Sequence, residues 1–322
     1  MKRIKGIITV LGISTMLVAC NGPEQQLEQQ LVDVQDAHFR VGVLLPDVGL
    51  GDQSFNDLAV KGLVNARDDM EVLWSYREAT AVNSIEEQFQ SLIEENNDVI
   101  IGVGYTSQEA IEKLAKQYPA QQFLIVDTTS DVDNVDSITF KEEEGSYLAG
   151  IVAATTSKTG VLGFVGGFED PVILNFLKGF TQGAQSVNPD INIVVKYANT
   201  YSDDKIGAAL AKGLIAEQAD VLYAVAGYTG VGLLQEAQRQ GVYAIGVDVD
   251  QYFYAEKAVI TSMTKNVDVA VYDYVKNYME QTPTTQQKLQ LGIEDNGVAL
   301  APIRIIEQAS ELEALLLSLI HI

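Results

Sequence analysis

Short apolar runs, separated by stretches long enough for a helix, recur along the chain and constrain its fold more than any other feature. They are rich in Val and Ile and mostly lack alternating polar residues; the first are residues 41–45, 72–74, 99–103, 123–126 and 138–140. Such runs are typical of strands buried on both faces of a parallel sheet, and the stretches between them predict helices over residues 85–93 and 110–118. The pattern therefore predicts an α/β protein.

A second series of runs predicts a second parallel sheet flanked by helices. Its members are residues 161–165, 191–195, 221–225, 242–247 and 259–263. We expect one lobe to comprise residues 39–140 with about 265–300, and the other to comprise residues 141–264 with about 301–322. Several hinge crossings would join the lobes, a shape that closes on a ligand. The apolar residues 315–322 end abruptly, and we interpret this C-terminus as truncated or atypical.

The N-terminus has the pattern of an export signal. Lys2, Arg3 and Lys5 precede an apolar run over residues 7–18, which is shorter than the ~18 to 20 residues that span a bilayer. The single cysteine, Cys20, follows in an arrangement that resembles the bacterial lipobox. This resemblance implies a signal peptide over residues 1–19, a lipid on Cys20 and a polar tether over residues 20–38. The alternative is an ordinary secretory signal with an incidental cysteine.

Composition excludes several classes of function. The net charge is −23, which disfavours nucleic acid as a partner because phosphates are bound by Lys and Arg. With Cys20 at the predicted processing site and only two histidines, the chain lacks the residues for a thiol site, a zinc cluster or a serine-histidine-acid triad. No phosphate-binding glycine motif has a clear strand and helix context. We therefore expect no cofactor, no metal and no enzymatic activity.

Polar and aromatic residues follow several of the predicted strands, where ligands of parallel sheets bind. They lie in residues 46–57, 102–105, 127–129, 166–168, 227–230 and 248–251. Carboxylates accept hydrogen bonds from hydroxyls, and aromatic rings stack on flat ligands, so these loops suit a neutral, hydroxyl-bearing, partly aromatic ligand. Asp47, Asp52 and Asp57 also suit helix caps or turns, and Ser54 is a plausible N-cap of the following helix. The sequence leaves these roles open.

A set of ordered motifs resembles the basic membrane protein family of bacterial lipoproteins over about residues 40–302. The motifs are DQSFND at 52–57, EGSYLAG at 144–150, GFVGG at 163–167, AIGVDVDQ at 244–251 and TSMTK at 261–265. The resemblance implies a two-lobed periplasmic-binding-protein type I fold and a receptor for purine nucleosides that serves an ABC importer. Its partners would be permease and ATPase subunits, and the protein would be a monomer on the cell membrane, facing the extracytoplasmic side.

The resemblance also implies roles for individual residues. Phe55 and Tyr201 would be the two rings that clamp the base, although the family tends to have Phe where Tyr201 stands. Asp248 and Lys265 would bind the ribose hydroxyls, with Asp250 competing for the role of Asp248. The complete set of candidate ligand-binding residues is Asp47, Phe55, Asn56, Asp57, Asp127, Tyr201, Gly227, Asp248 and Lys265.

Other functions remain open from the sequence. A lipoprotein of the same fold could sense a ligand or partner without transporting anything. The aspartates at the strand ends also suggest, more remotely, a metal-dependent nucleoside hydrolase. Such an enzyme needs several acids around one cation, whereas residues 48–51 separate Asp47 from Asp52.

Overall fold

The structure is a computed structural model that describes residues 38–46, 48–79, 84–280 and 286–320. The predicted signal peptide, the lipid site Cys20, nearly all of the tether and the candidate residue Asp47 lie outside the described residues. Within the described part, no helix is long and apolar enough to cross a membrane.

The first sheet collects the first series of apolar runs. Its strands are β1 (Arg40–Leu45), β2 (Leu73–Glu78), β3 (Val99–Val103), β4 (Gln122–Val126), β5 (Val135–Phe140) and β11 (Lys288–Leu291). Their order is β11-β5-β4-β3-β1-β2, and all of them pair in parallel. The central strands are buried along nearly their whole length, because helices cover both faces of the sheet.

The second sheet repeats this plan. Its strands are β6 (Val161–Gly166), β7 (Asn192–Tyr197), β8 (Val221–Val225), β9 (Tyr243–Asp248), β10 (Val259–Lys265) and β12 (Val298–Leu300). The order is β12-β10-β9-β8-β6-β7, and every pairing is parallel except that of β12 with β10. We call the parts of the chain built on the first and second sheets the first and second lobes.

Helices connect the strands and cover the sheets. They are α1 (Phe55–Met70), α2 (Ile85–Glu94), α3 (Gln108–Gln117), α4 (Glu142–Thr156), α5 (Pro171–Val187), α6 (Asp204–Ala216), α7 (Gly227–Gln240), α8 (Val267–Glu280) and α9 (Ala309–Ile320). Helices α4 and α5 pack closely: a Cβ at Gly183 would lie 1.9 Å from the Tyr147 carbonyl oxygen. Glycine at this position therefore allows the two backbones to touch.

The described chain passes from one sheet to the other between β5 and α4, between β10 and α8, and between β11 and β12. The last crossing differs from the expectation. Strand β12 lies inside the stretch that we assigned to the first lobe, yet it pairs with β10 in the second sheet. The boundary moves because the chain turns back at residues 292–297, where Asn266 N donates to Gly297 O.

The apolar end of the chain forms α9. Leu312 and Leu316 of this helix are buried in the core, whereas Leu315 and Leu317 are exposed. The backbone N–H of Ile303 donates to Glu313 of α9 at 2.9 Å, and Arg304 N donates to Ile260 O of β10. These contacts tie the end of the chain to the second lobe.

Candidate ligand-binding site

A cavity of about 110 Å³ lies where the carboxyl ends of strands from both sheets meet. This is the place where parallel sheets bind ligands. Most of the candidate residues line it: Phe55, Asn56, Asp127, Tyr201, Gly227, Asp248 and Lys265. Of the remaining candidates, Asp57 is not part of the lining, and Asp47 lies outside the described residues.

The turn after β1 is built by Asp52. Its Oδ1 accepts hydrogen bonds from the backbone N–H groups of Ser54 and Asp57, and its Oδ2 accepts one from Asn56 N at 2.8 Å. Asp52 is 4% exposed, and burial raises its pKa to about 6 despite these hydrogen bonds. The carboxylate therefore satisfies backbone donors at the start of α1.

The structure confirms Ser54 as the N-cap residue of α1 but shows no capping hydrogen bond from its side chain. Asp52 accepts from the first N–H groups of the helix. The Ser54 hydroxyl donates instead to Asp248 Oδ2 in the second lobe. The N-terminus of α1 is thus joined directly to the other side of the cavity.

Asp57 is a turn residue. Its Oδ1 accepts from Gly51 N at 2.7 Å and its Oδ2 accepts from Gln53 N at 3.0 Å. Both donors have positive φ, 90° at Gly51 and 56° at Gln53, so the carboxylate holds a tight reversal of the chain. Its two oxygens are directed at this turn rather than at the cavity.

Asn56 presents a bare acceptor beside the cavity. The side chain is 4% exposed, and its Nδ2 donates to Pro46 O at 3.2 Å. Because a carbonyl oxygen can only accept, this contact fixes which end of the amide is nitrogen. Oδ1 is buried and has no hydrogen-bond partner among the described residues.

A buried lysine carries the positive charge of the cavity. Lys265 is 1% exposed, and its Nζ lies 2.6 Å from Asp127 Oδ2 and 3.0 Å from Glu142 Oε1. Burial opposes the charge, but the carboxylates of Asp127, Glu142 and Asp248 outweigh it and raise the pKa of Lys265. The lysine therefore stays protonated, and its ion pairs join strand ends of the two sheets.

Aromatic rings surround the same ammonium group. Its Nζ lies 5.1 Å from the ring centroid of Phe55, 5.0 Å from that of Phe140 and 5.5 Å from that of Phe176. These distances are within the range of cation–π attraction. The sequence analysis did not select Phe140, Phe176 or Glu142. The one available signal was the acidic start of α4, which suits the positive end of a helix equally well.

Asp127 has one paired oxygen and one bare oxygen. It follows β4 with φ of 73°, held by its backbone N–H donating to Ile138 O at 2.8 Å. Oδ2 accepts from Lys265, whereas Oδ1 is buried without a partner among the described residues. Burial raises the pKa of Asp127 to about 6; Lys265 opposes the rise, and Glu142 and Asp170 add to it.

Asp248 and Asp250, the two candidates for the same role, have different surroundings in the structure. Asp248 lines the cavity, has φ of 64°, and has its pKa raised by burial against the opposing effects of Lys265 and Ser54. Asp250 forms a bidentate pair with Arg304 at 3.0 and 2.7 Å and does not line the cavity. The structure therefore places Asp248 at the cavity and pairs Asp250 with the C-terminal part of the chain.

Tyr201 stands on the second-lobe side with its hydroxyl held. The hydroxyl donates to Asp170 Oδ2 at 3.1 Å, and the ring packs 5.3 Å from that of Phe168. A Cβ at Gly167 would lie 2.0 Å from the Tyr201 ring, so the glycine makes room for the ring. Asp170 also caps α5, because its Oδ1 accepts from Ile173 N. Asp170 was not selected from the sequence, where Asp170-Pro171 is a common helix start.

The combined chemistry of the cavity is that of an acceptor-rich site with aromatic walls. The carboxylates of Asp127, Asp170 and Asp248 contribute to the lining, against the single cation of Lys265. Such a site repels phosphate and suits a neutral ligand with a flat ring and N–H or O–H donors. No group of His, Cys, Asp and Glu suited to a metal ion occurs among the residues that the structure describes.

Comparisons with known proteins identify the family of the chain. Residues 39–317 match the family model described as ABC transporter substrate-binding protein PnrA-like. The chain is 33% identical over 314 residues to the CD4+ T-cell-stimulating antigen of Listeria innocua, covering 91% of this chain and 88% of that one. It is 33% identical over 247 residues to the ABC transporter nucleoside-binding protein BmpA of Lactococcus lactis, covering 70% of each chain.

A solved structure shows the same architecture. An ABC transporter solute-binding protein from Aeropyrum pernix superposes with a TM-score of 0.77 at 31% identity, over 82% of this chain and 76% of that one. The predicted fold class is confirmed: two mostly parallel sheets flanked by helices, in the periplasmic-binding type I arrangement.

Proposed function

The chain belongs to the family of PnrA-like ABC transporter substrate-binding proteins, and from that premise we propose that it captures a purine nucleoside between its lobes and delivers it to an ABC importer. The family consists of substrate-binding proteins rather than enzymes, and it implies an extracytoplasmic, membrane-associated location. We further propose that a lipid on Cys20 provides the membrane anchor and that the protein acts as a monomer.

One observation carries the ligand proposal: aromatic rings from both lobes line the same cavity as buried hydrogen-bond acceptors. Phe55 comes from the first lobe and Tyr201 from the second, so a flat base can stack on both. Asp248 and Asp127 offer carboxylate oxygens within the same lining. The relative from Lactococcus lactis is named as nucleoside-binding.

The ribose would be bound by Asp248 and Lys265. An ammonium group has three N–H donors, and Asp127 and Glu142 occupy two of them. The third remains for a ligand hydroxyl, while the Asp248 carboxylate can accept a hydrogen bond from another. A free base lacks these hydroxyls and would leave both groups desolvated, at about 1 to 3 kcal/mol for each unpaired polar group.

Titration calorimetry of the purified protein tests the ligand. We expect binding of at least one purine nucleoside, with the free base binding at least about tenfold more weakly because the ribose contacts are lost. Asp248→Ala and Phe55→Ala should abolish most of the binding. Asp131→Ala is the matched control, since Asp131 is exposed and pairs with Lys288 at the surface. Equal affinity for adenosine and adenine, or no response to any nucleoside, would contradict the proposal.

The anchor and the transport role need a test in cells of the source organism. We expect Cys20→Ala to release the protein from the membrane fraction, and deletion of the gene to lower uptake of a labelled nucleoside. Normal uptake after deletion, together with binding in the calorimeter, would favour a sensing role over transport.

A further inference from the structure

The loop that carries Asp248 begins with a strained turn. Val249 N donates to Val247 O at 2.8 Å, so Asp248 is the central residue of a γ-turn, and its φ of 64° lies in the left-handed region. This conformation is unfavourable for a residue other than glycine. It persists only where the surrounding contacts hold it, so those contacts determine the position of the Asp248 carboxylate.

The first set of contacts comes from within the loop. Gln251 is fully buried; its Oε1 accepts from Val247 N at 3.0 Å, and its backbone N–H donates to Ser262 Oγ of β10 at 3.0 Å. A Cβ at Gly246 would lie 2.5 Å from Ser262 Oγ, so glycine leaves the room that the serine needs. The two hydrogen bonds fix the chain on both sides of Asp248.

A second set of contacts comes from Arg304, which lies 54 residues after Asp250 in the chain. Its guanidinium forms the bidentate pair with Asp250, and its central carbon lies 4.7 Å from the ring centroid of Tyr252, within the range of cation–π attraction. Asp250 Oδ1 also accepts from Tyr252 N at 3.3 Å. One side chain thus holds the two residues that flank the buried Gln251.

The backbone of Arg304 is itself held in place. Its N–H donates to Ile260 O of β10 at 2.7 Å, and β10 pairs in parallel with β9, the strand that ends at Asp248. The preceding residue, Ile303, donates to Glu313 of α9. The backbone that carries the guanidinium is therefore fixed against the second sheet, from which the side chain reaches the loop.

Neither Arg304 nor Asp250 belongs to the lining of the cavity. Their side chains are 28% and 32% exposed, and a partly exposed ion pair contributes only modestly to stability. Resting on the proposed function, we propose that Arg304 is a positioning residue for nucleoside binding: through Asp250 and Tyr252 it holds the loop in the conformation that presents Asp248 to the ribose. The segment after β12 thereby takes part in binding without touching the ligand.

Titration calorimetry of the full chain with guanosine, inosine, adenosine and their free bases tests the role in binding. We expect Arg304→Gln to weaken binding of every nucleoside that the native protein binds by about three- to tenfold, because the hydrogen bond from the ribose to Asp248 is lost or misaligned. The free bases should bind as they do to the native protein, since they have no hydroxyl for Asp248. Arg304→Lys keeps the charge but not the bidentate geometry, so its affinity should lie between the two.

Hydrogen exchange measured by mass spectrometry examines the loop without any ligand. Arg304→Gln should speed exchange in residues 246–252 severalfold, because the loop opens more often once this anchor is gone. Exchange in the buried strand β8 should stay as it is in the native protein.

Asp250→Asn approaches the same pair from its other end. It should reproduce both effects of Arg304→Gln, and the double variant should bind no more weakly than the weaker single variant, because both changes remove one interaction. Losses that multiply in the double variant would show that the two residues act independently, and would contradict the proposal.

Arg67→Gln is the matched control, because Arg67 pairs with its neighbour Asp68 on the exposed surface of α1. It should change neither the ratio of nucleoside to base affinity nor the exchange of the loop. Thermal melts check that each variant is folded, and Arg304→Gln should lower the melting temperature by no more than about 4 °C.

The outcomes separate this proposal from the broader one. An Arg304→Gln variant with native nucleoside affinity, or one that weakens nucleoside and base by the same factor, would overturn the positioning role while leaving nucleoside binding intact. Absence of nucleoside binding by the native protein would overturn the proposed function and, with it, the role of Arg304 in binding. The exchange measurement would then still show whether Arg304 holds the loop.

Discussion

The turn after β1 and the turn after β4 each contain a buried aspartate, and the two carboxyls differ in how they are hydrogen-bonded. Burial raises the pKa of Asp52 and of Asp127 to about 6 in both cases. Asp52 accepts three backbone N–H donors and so completes its own turn. Asp127 pairs with Lys265 through one oxygen and leaves the other bare.

The comparison shows that burial and a perturbed pKa do not identify a ligand-binding carboxylate by themselves. Both aspartates belong to the first lobe, both follow a strand and both line the cavity. Counting the hydrogen bonds of each oxygen separates them, because a saturated carboxylate has nothing left to offer a ligand. By this criterion Asp52 and Asp57 build the turn, whereas Asp127 keeps one oxygen without a partner among the described residues.

The largest expected effect comes from removing Lys265, the cation that pairs with Asp127. Lys265→Met leaves Asp127 and Glu142 buried without a counterion. We expect the free energy of unfolding to fall by about 3 to 5 kcal/mol, measured by urea denaturation. Lys113→Met is the control, because its pair with Glu86 is exposed and should contribute no more than about 1 kcal/mol. Equal losses for the two variants would show that the buried network does not stabilise the fold.

Exchanging each aspartate for asparagine should separate turn building from binding. Asp52→Asn places an amide N–H₂ against the Asn56 backbone N–H, and we expect a loss of about 1 to 2 kcal/mol in unfolding free energy. Asp127→Asn can turn its oxygen to Lys265, which keeps Glu142 as its counterion, so its stability should change by less than about 1 kcal/mol. A larger loss of stability in Asp127→Asn than in Asp52→Asn would contradict the distinction between a turn-building and a binding aspartate.

Asp170 combines a structural contact like those of Asp52 with a contact to a ring that lines the cavity. One oxygen caps α5, and the other accepts from the hydroxyl of Tyr201. Tyr201→Ala should weaken nucleoside binding by about tenfold or more, because it removes a stacking ring. Tyr201→Phe keeps the ring and should cost only a few-fold, about 0.5 to 1.5 kcal/mol for one hydrogen bond. Calorimetry on both variants checks this, and equal losses would mean that the hydroxyl matters more than the ring.

The smallest expected effect is the dependence of stability on pH. Because the folded-state pKa of Asp127 is raised from 3.8 to about 6, the native state binds this proton more tightly than the unfolded state does. The stabilisation is full below pH 3.8 and is lost as the pH rises through about 6. Relative to Asp127→Asn, the native protein should therefore gain about 1 kcal/mol between pH 7.5 and pH 5. Melting curves at the two pH values measure this difference, and parallel shifts in the two proteins would contradict it.

The apolar runs predicted the central strands and the two-sheet plan because strands buried on both faces carry that signal in their own residues. Strands β11 and β12 were missed. They are short edge strands, and β11 is largely exposed, so neither needs an apolar run.

Most of the residues that meet at the cavity were predictable by residue type and position, but the contacts that each of them makes were not. Asp248 and Asp250 lie at the same strand end in the sequence, and the pair that Asp250 forms with Arg304, more than fifty residues along the chain, separates them in the structure. The sequence also did not show that Asp52, rather than the Ser54 side chain, accepts from the first N–H groups of α1. Nor did it show the ion pair of Glu142 with Lys265, which is distant in sequence. Such assignments depend on contacts that only the folded chain brings together.

The position of the buried ion pair has a mechanical consequence. Lys265 ends β10 directly before one crossing between the lobes, and Glu142 begins α4 directly after another. Points close to the axis of a rotation move little, whereas points far from it travel further. We therefore expect the lysine and the glutamate to act as a pivot, because a rotation of the lobes about these crossings would leave their two charges paired and buried.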